Sequence, residues 1–243
     1  MEADYAEEIT EETRKELVEF IQWYNHVLGH EPLIVGGWAA WAYHHGLGSK
    51  DIDVVFPGAA AKQVTLSAYF KSNGYVENRD VDFFDYEFTK ARKTADERSV
   101  DIIVDAVSMD RNVQVSGTKL IIPWKWAEKH KRKHAFGKKA DAYIVDPELL
   151  LVYKIGALIG RNHYLRTADI RRQSHYQSKL WKDARDVLGL FENCAFDKTL
   201  LASLLKESKL KPLVTDAKNI ASRYFSPERK DEFESKWDSV FGT

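Results

Sequence analysis

Apolar positions recur at spacings of three and four over residues 10–28 (Leu17, Phe20, Ile21, Tyr24, Val27 and Leu28, with charges between them), predicting an amphipathic helix. Gly29 and Pro32 break that period, and Leu33-Ile34-Val35 is a short apolar run of the kind that forms a buried strand. Gly36-Gly37 follows, and the small and aromatic residues from Trp38 to Tyr43 predict a helix packed closely on a sheet, ending near Gly46 and Gly48. Residues 51–56 read as a strand stopped by Pro57-Gly58, and residues 59–72 as a helix closed by Asn73-Gly74. Alternation of apolar and polar positions predicts strands over 82–90 and 100–107, and residues 119–123 resemble another.

Beyond that point the period changes. Asp146 and Pro147 suit the cap and first turn of a helix over Leu149 to Ile159. Further helical patterns cover 175–190, 197–208, 213–225 and 227–240, with Asp197 and Ser226-Pro227 as starts. The expected fold is α/β (α+β): a small mixed β-sheet with flanking helices in residues 1–125, then a helical C-terminal subdomain in residues 140–243. No internal repeat or low-complexity linker separates them, so close packing is expected.

Composition narrows the class without naming a function. In 243 residues, 44% are hydrophobic and 30% charged, as expected of a folded globular chain and far from disorder. Net charge is −1, but it is unevenly distributed: acids crowd the first dozen residues, and residues 125–139 hold seven Lys/Arg against Glu128. A single cysteine, Cys194, excludes an intramolecular disulfide and reads as a core filler. No apolar run is long enough to span a membrane and no secretion signal is evident, so a cytoplasmic location is expected.

The candidate chemistry lies in residues 34–56. A strand running through Gly36-Gly37 into a helix exposes backbone N–H groups that no side chain blocks, and the helix dipole favours phosphate there. Asp51 and Asp53 alternate along the next strand, so both carboxylates share a face. Unpaired, they would repel; a hard divalent cation such as Mg²⁺ relieves that repulsion and also binds triphosphate oxygens. Asp101 is the expected third carboxylate, with Asp105 one step along the same face as the alternative. Two metals held by Asp51, Asp53 and Asp101 would activate an attacking hydroxyl and stabilise leaving pyrophosphate.

Strand, Gly-Gly, helix, then Ser49-Lys-Asp51-Ile-Asp53 on the next strand resembles the signature of the polymerase-β-type nucleotidyltransferase superfamily. Within it, the chain is most similar to the AbiEii/MenT-like toxin nucleotidyltransferases and related small proteins, over about residues 33–190. Those add a lysine on a helix after a Pro-Glu start and a Lys-Asp-x-x-Asp segment, matched by Pro147-Glu148 with Lys154 and by Lys182-Asp183-Ala-Arg-Asp186. The resemblance implies a nucleotidyltransferase core that moves a nucleoside monophosphate from an NTP substrate to an acceptor hydroxyl with Mg²⁺ (or Mn²⁺). Gly36, Gly37, Ser49 and Lys154 would hold the nucleotide, and Asp183 would act as a base or hold an active-site cation. Arg161, Arg166, Arg171 and Arg172 would reach nucleotide or acceptor, or else form a charged loop. One departure stands out: many relatives place Ser or Thr after the glycines, where this chain has Trp38, leaving Ser49 as the hydroxyl for phosphate.

The toxin-type relatives imply a tRNA acceptor and an antitoxin partner. The basic stretch (Lys125, Lys129, Lys131, Arg132, Lys133, Lys138, Lys139) beside Trp124 and Trp126 has the charge and stacking groups for an RNA end, or is a solvated loop. A protein or a small molecule of aminoglycoside type is the alternative acceptor, and a silent nucleotide-binding module the alternative class. His44-His45 and His130/His134 lack companion cysteines at zinc spacing, so no zinc site is expected.

Overall fold

The computed structural model describes residues 5–57, 60–78, 86–93, 97 and 99–242. Helix α1 (Glu7–Leu28) ends at Gly29 in the left-handed conformation, and β1 (Leu33–Val35) leads directly into α2 (Gly36–His44). Then come β2 (Asp51–Phe56), α3 (Ala60–Ser72), β3 (Val76–Asn78), β4 (Tyr86–Lys93) and β5 (Ser99–Ser108). A hairpin of β6 (Asn112–Gln114) and β7 (Ile121–Pro123) stands apart as a two-stranded sheet. Strands β8 (Lys131–Ala135) and β9 (Asp141–Val145) precede α4 (Pro147–Thr167) and α5 (Ile170–Asn193). The chain closes with α6 (Lys198–Glu207), α7 (Val214–Ser222) and α8 (Pro227–Phe241).

The expected mixed α/β class is what the structure shows: a seven-stranded sheet of order β3-β4-β5-β2-β1-β9-β8, covered by helices. Strand β2 lies antiparallel to β1 and parallel to β5, and β1 is parallel to β9. Where residues 82–90 were read as a strand, β4 covers Tyr86 onward, and 82–85 lie outside the described residues.

The sheet extends past the expected boundary between residues 125 and 140. Strand β9 belongs to it, and one hydrophobic core runs from Leu17 on α1 to Trp237 on α8. The cause is α4, buried on nearly all sides from Pro147 to Leu158, which joins the sheet to the later helices. An apolar helix of this kind cannot belong to one layer alone. Asp146, expected to cap it, instead accepts from Arg132 at 2.9 Å, whereas Asp197 does cap α6, accepting from the N–H groups of Thr199 and Leu200.

Helix α1 is fastened across the sheet by a buried acid. Glu16 accepts from Lys90 at 2.8 Å, from Arg92 Nε at 2.7 Å and from the Tyr75 hydroxyl at 3.0 Å. Burial favours its neutral form, but these three donors outweigh it and hold its pKa below the usual range. Glu16→Gln should lower unfolding free energy by about 1–3 kcal/mol, because the cations on β4 are part-exposed and re-solvate. Urea unfolding measures the loss.

Candidate active site

The site is built where β1 turns into α2. Gly36 has φ of +64°, a left-handed conformation that glycine adopts without strain, and a Cβ there would overlap the Asp53 carboxylate. Register explains the crowding, since Val35 lies opposite Asp53. The Gly37 N–H donates to the Asp53 carboxylate, so the first turn of α2 already faces an anion. A Cβ on Gly37 would come within 2.5 Å of Ser49 Oγ, which places the buried Ser49 against the same turn. Gly36, Gly37, Ser49, Asp51 and Asp53 are therefore gathered as the sequence predicts.

Register sets Asp105, not Asp101, beside Asp53. In the parallel β2–β5 ladder Asp53 pairs with Asp105, whereas Asp101 lies beyond the last pair, Asp51 with Ile103. Asp101 faces Ala91 across β4 and is exposed. Alternation along β5 allowed either residue; inter-strand register chose between them. Burial raises the pKa of Asp105 well above the usual carboxylate range, and the charges of Asp53 and Glu87 push the same way. Asp53 is also raised, by burial, against the opposing pull of Arg161 and Lys154. One oxygen each of Asp51 and Asp105 is buried without a hydrogen-bond partner.

Two long helices supply the counter-charges. Lys154 on α4 donates to Asp183 at 2.9 Å and to Asp186 at 2.6 Å, both on α5. Arg161, two turns along α4, pairs with the other oxygen of Asp183, and Lys182 pairs with Asp186. His44 Nε2, at the end of α2, lies 3.3 Å from Asp186. Lys179 pairs with Asp51. Burial, with the charges of Lys50 and Lys182 beside it, pulls Lys179 down to about 8 against the opposing charge of Asp183. Despite their burial, Asp183 and Asp186 are held below the usual carboxylate range by these cations.

Lys154, expected to hold the nucleotide, is 6% exposed and already bridges two acids. Of the two roles expected of Asp183, its contacts match the holding of cations, since both its oxygens lie on Lys154 and Arg161. Lys179 and Lys182 were not singled out as site cations in the sequence. Their signal was the stripe Lys179, Lys182, Asp183, Asp186 at spacings of three and four, which marks one helix face. Of the arginines, Arg161 joins the site, while Arg166 and Arg172 are exposed and the Arg171 side chain lies outside the described residues.

The basic stretch forms the edge strand β8 and its flanks, and all seven Lys/Arg side chains are exposed. A loop was the alternative to an RNA-binding segment; the structure makes it a strand with local duties. Arg132 pairs with Asp146, Lys133 with Glu31, and Lys131 sits 4.4 Å from the Tyr143 ring. Charged edge strands also resist pairing with other chains. Cys194 is partly buried, and burial raises its thiol to about 11.

A divalent cation fits this donor set in part. Asp53 and Asp105 lie side by side, and Asp51 and Asp105 each keep an unpartnered oxygen, which suits a hard cation. Against that, Lys179 occupies Asp51, and among the described residues no three His, Cys, Asp or Glu side chains are gathered closely enough to enclose a metal.

No protein-family model matches the chain, and no curated protein matches it. Among solved structures, it is similar to an antigenic nucleotidyltransferase-like protein from Paracoccidioides brasiliensis. Identity there is 13%, covering 85% of this chain and 92% of that one, with a TM-score of 0.44. It is also similar to the antibiotic-resistance factor ANT(2'')-Ia, at 15% identity over 79% of this chain and 95% of that one, with a TM-score of 0.38. Both likenesses are too loose to decide activity.

Two outcomes follow from the charges. Lys154→Ala removes one cation from each of two buried acids, Arg161 remaining on Asp183 and Lys182 on Asp186, and should cost about 1–3 kcal/mol of stability, read by urea unfolding. The acid pair acts on stability through pH. Because the folded pKa of Asp105 is raised, its contribution is full below the unfolded value and is lost as pH rises through the folded one. Asp105→Asn should remove that loss, so unfolding midpoints from pH 4 to 8 should fall less steeply with pH than in the parent chain.

Proposed function

We propose that this chain is a nucleotidyltransferase, moving a nucleoside monophosphate from a nucleoside triphosphate to an acceptor hydroxyl. The observation that carries the reading is the register of Asp53 beside Asp105, directly under the Gly36-Gly37 turn that opens α2. The two glycines let Asp53 and Ser49 lie against the first turn of α2, so a phosphate chain at Asp53 would meet the positive end of that helix. Transfer needs charge compensation where pyrophosphate departs. Lys179 and Lys182 stand on the face of α5 nearest Asp51 and Gly37, with Lys182 Nζ 3.7 Å from a Cβ built on Gly37.

The adjacent pair Asp53 and Asp105 would hold Mg²⁺ or Mn²⁺, which when bound would supply compensation for charge on the triphosphate and the attacking oxygen. The chain's own groups do the rest. Lys179, released from Asp51, turns to phosphate oxygen as a compact mobile cation. Arg161 and Lys154 stay fixed by Asp183 and Asp186, keeping positive potential beside Asp53.

For the acceptor we propose an RNA end, supported by the exposed cations of β8 and its flanks. Strand β8 lies on the same sheet, and Lys131 pairs in register with Val145 at the end of β9 that leads into α4. A protein or small-molecule hydroxyl is the outcome that replaces it if RNA is not labelled.

Incubation with each α-labelled nucleoside triphosphate, Mg²⁺, cell RNA and lysate tests both levels. Asp53→Asn and Asp105→Asn should each cut labelling by a factor of about 100 or more, while Asp101→Asn should leave it within a few-fold. Labelling of RNA should also fall steeply as salt rises, and reversal of Lys129, Lys131 and Lys138 should lower it, since these phosphate contacts release counterions. Equal labelling by the Asp105→Asn variant and the parent chain would remove the reading.

A further inference from the structure

Helix α2 carries the Gly36-Gly37 turn at its start and His44 at its end, about 10 Å further along by helical rise. The His44 ring is held at three points. The Gly46 N–H donates to Nδ1 at 2.9 Å, so Nδ1 carries no proton and Nε2 does. That Nε2–H donates to Asp186 Oδ1 on α5 at 3.3 Å. On the same helix Gly189 leaves room for the ring, since a Cβ there would come within 2.7 Å of Cγ and Cδ2. Glycine inside a helix is less stable than alanine, so α5 gives up helix stability to admit this ring.

Charge balance does not require His44. Lys182 already pairs with the same Asp186 oxygen, and Lys154 donates to the other at 2.6 Å. What a third, neutral donor adds is direction. Packing supplies direction on one side only: Gly189 backs the ring, and His44 also lines a cavity of about 470 Å³ with Trp181, Arg185 and Asn193.

We propose that His44 is a positioning residue for nucleotide binding: its bond to Asp186 pins the end of α2 on α5 and so sets the gap between the Gly36-Gly37 turn and Lys182. The inference rests on the proposed transfer activity and concerns how that same site takes its triphosphate. Lys182 Nζ lies 3.7 Å from a Cβ built on Gly37, so a shift of α2 against α5 changes how turn and ammonium share a phosphate group. Asp186 holds Lys182 and His44 by one oxygen, so a single carboxylate fixes both the cation and the helix it faces. His44 touches no reacting atom and acts only through Asp186 and α2. Loss of its bond therefore loosens the hold on triphosphate and leaves the chemical step to its own groups.

The test uses the full chain and reads binding apart from turnover. Equilibrium binding of each nucleoside triphosphate, as its α,β-methylene analogue with Mg²⁺, gives affinity. Transfer of α-label to the acceptor gives KM and kcat, and urea unfolding reports folding. His44→Phe keeps a ring beside Gly189 and removes both nitrogens. It should weaken analogue binding and raise KM about tenfold, with kcat per folded molecule within about threefold of the parent. His44→Gln restores an N–H donor and should bring binding and KM back to within about threefold. Gly189→Ala keeps the imidazole but displaces its ring, so it should weaken binding in the same direction and decides the question if His44→Phe does not fold. If binding and KM stay at parent values in the folded His44→Phe and Gly189→Ala variants, His44 only supports the fold and the inference is overturned. If His44→Gln binds as weakly as His44→Phe, the hydrogen bond is not the cause and the inference is again overturned. If the parent binds the analogue but labels no acceptor, the transfer reading fails while the binding comparison still decides the role of His44. If the parent binds no triphosphate, both fall.

Discussion

Two carboxylates forced side by side in a sheet, Asp53 and Asp105, are the constraint around which the rest of the site is arranged. Parallel pairing of β2 with β5 leaves them no choice, and burial makes their repulsion expensive. The structure answers in three ways. The Gly37 N–H donates to Asp53 from the first turn of α2. Gly36 gives up its side chain so that the carboxylate can lie against the backbone. Finally, α4 and α5 bring Lys154, Arg161, Lys179 and Lys182 into the interior, where Asp51, Asp183 and Asp186 hold them in place.

That arrangement explains why the helical half is inseparable from the sheet. Buried ions are tolerated only with partners, and here the partners come from different elements. Acids on β2 and β5 look to cations on α4 and α5, and those cations are fixed by acids on α5. Remove α5 and the sheet's carboxylates lose their counter-charge; remove β2 and Lys179 loses Asp51. Apolar packing reinforces the link, since α4 lies in the same core as Ile34 and Ile52.

Much of this was legible along the chain. The glycine pair, the Asp-x-Asp strand and the helices of the second half follow from local period and turn chemistry. What sequence could not supply was register. Asp101 and Asp105 share one face of β5, and only pairing with β2 brings the second of them to Asp53. The stripe Lys179, Lys182, Asp183 and Asp186 was readable as one helix face, but ordinary statistics assign such a face to solvent. Strand β8 was hidden for a related reason: Lys-Arg-Lys-His lacks the apolar alternation of a half-buried strand, and only its edge position permits that composition. Its neighbour β9, with Ala142, Ile144 and Val145 buried, is a run of five residues that gave no period long enough to read.

The most direct measurement is Mn²⁺ binding, followed by electron paramagnetic resonance, in the parent chain and in the Asp105→Asn and Asp101→Asn variants. An acid pair at Asp53 and Asp105 that seats a divalent cation predicts parent-like binding by Asp101→Asn and loss of binding by Asp105→Asn, with both variants folded. Binding retained by Asp105→Asn and lost by Asp101→Asn would contradict the account, because it would place the cation at the exposed end of β5 and away from the Gly36-Gly37 turn.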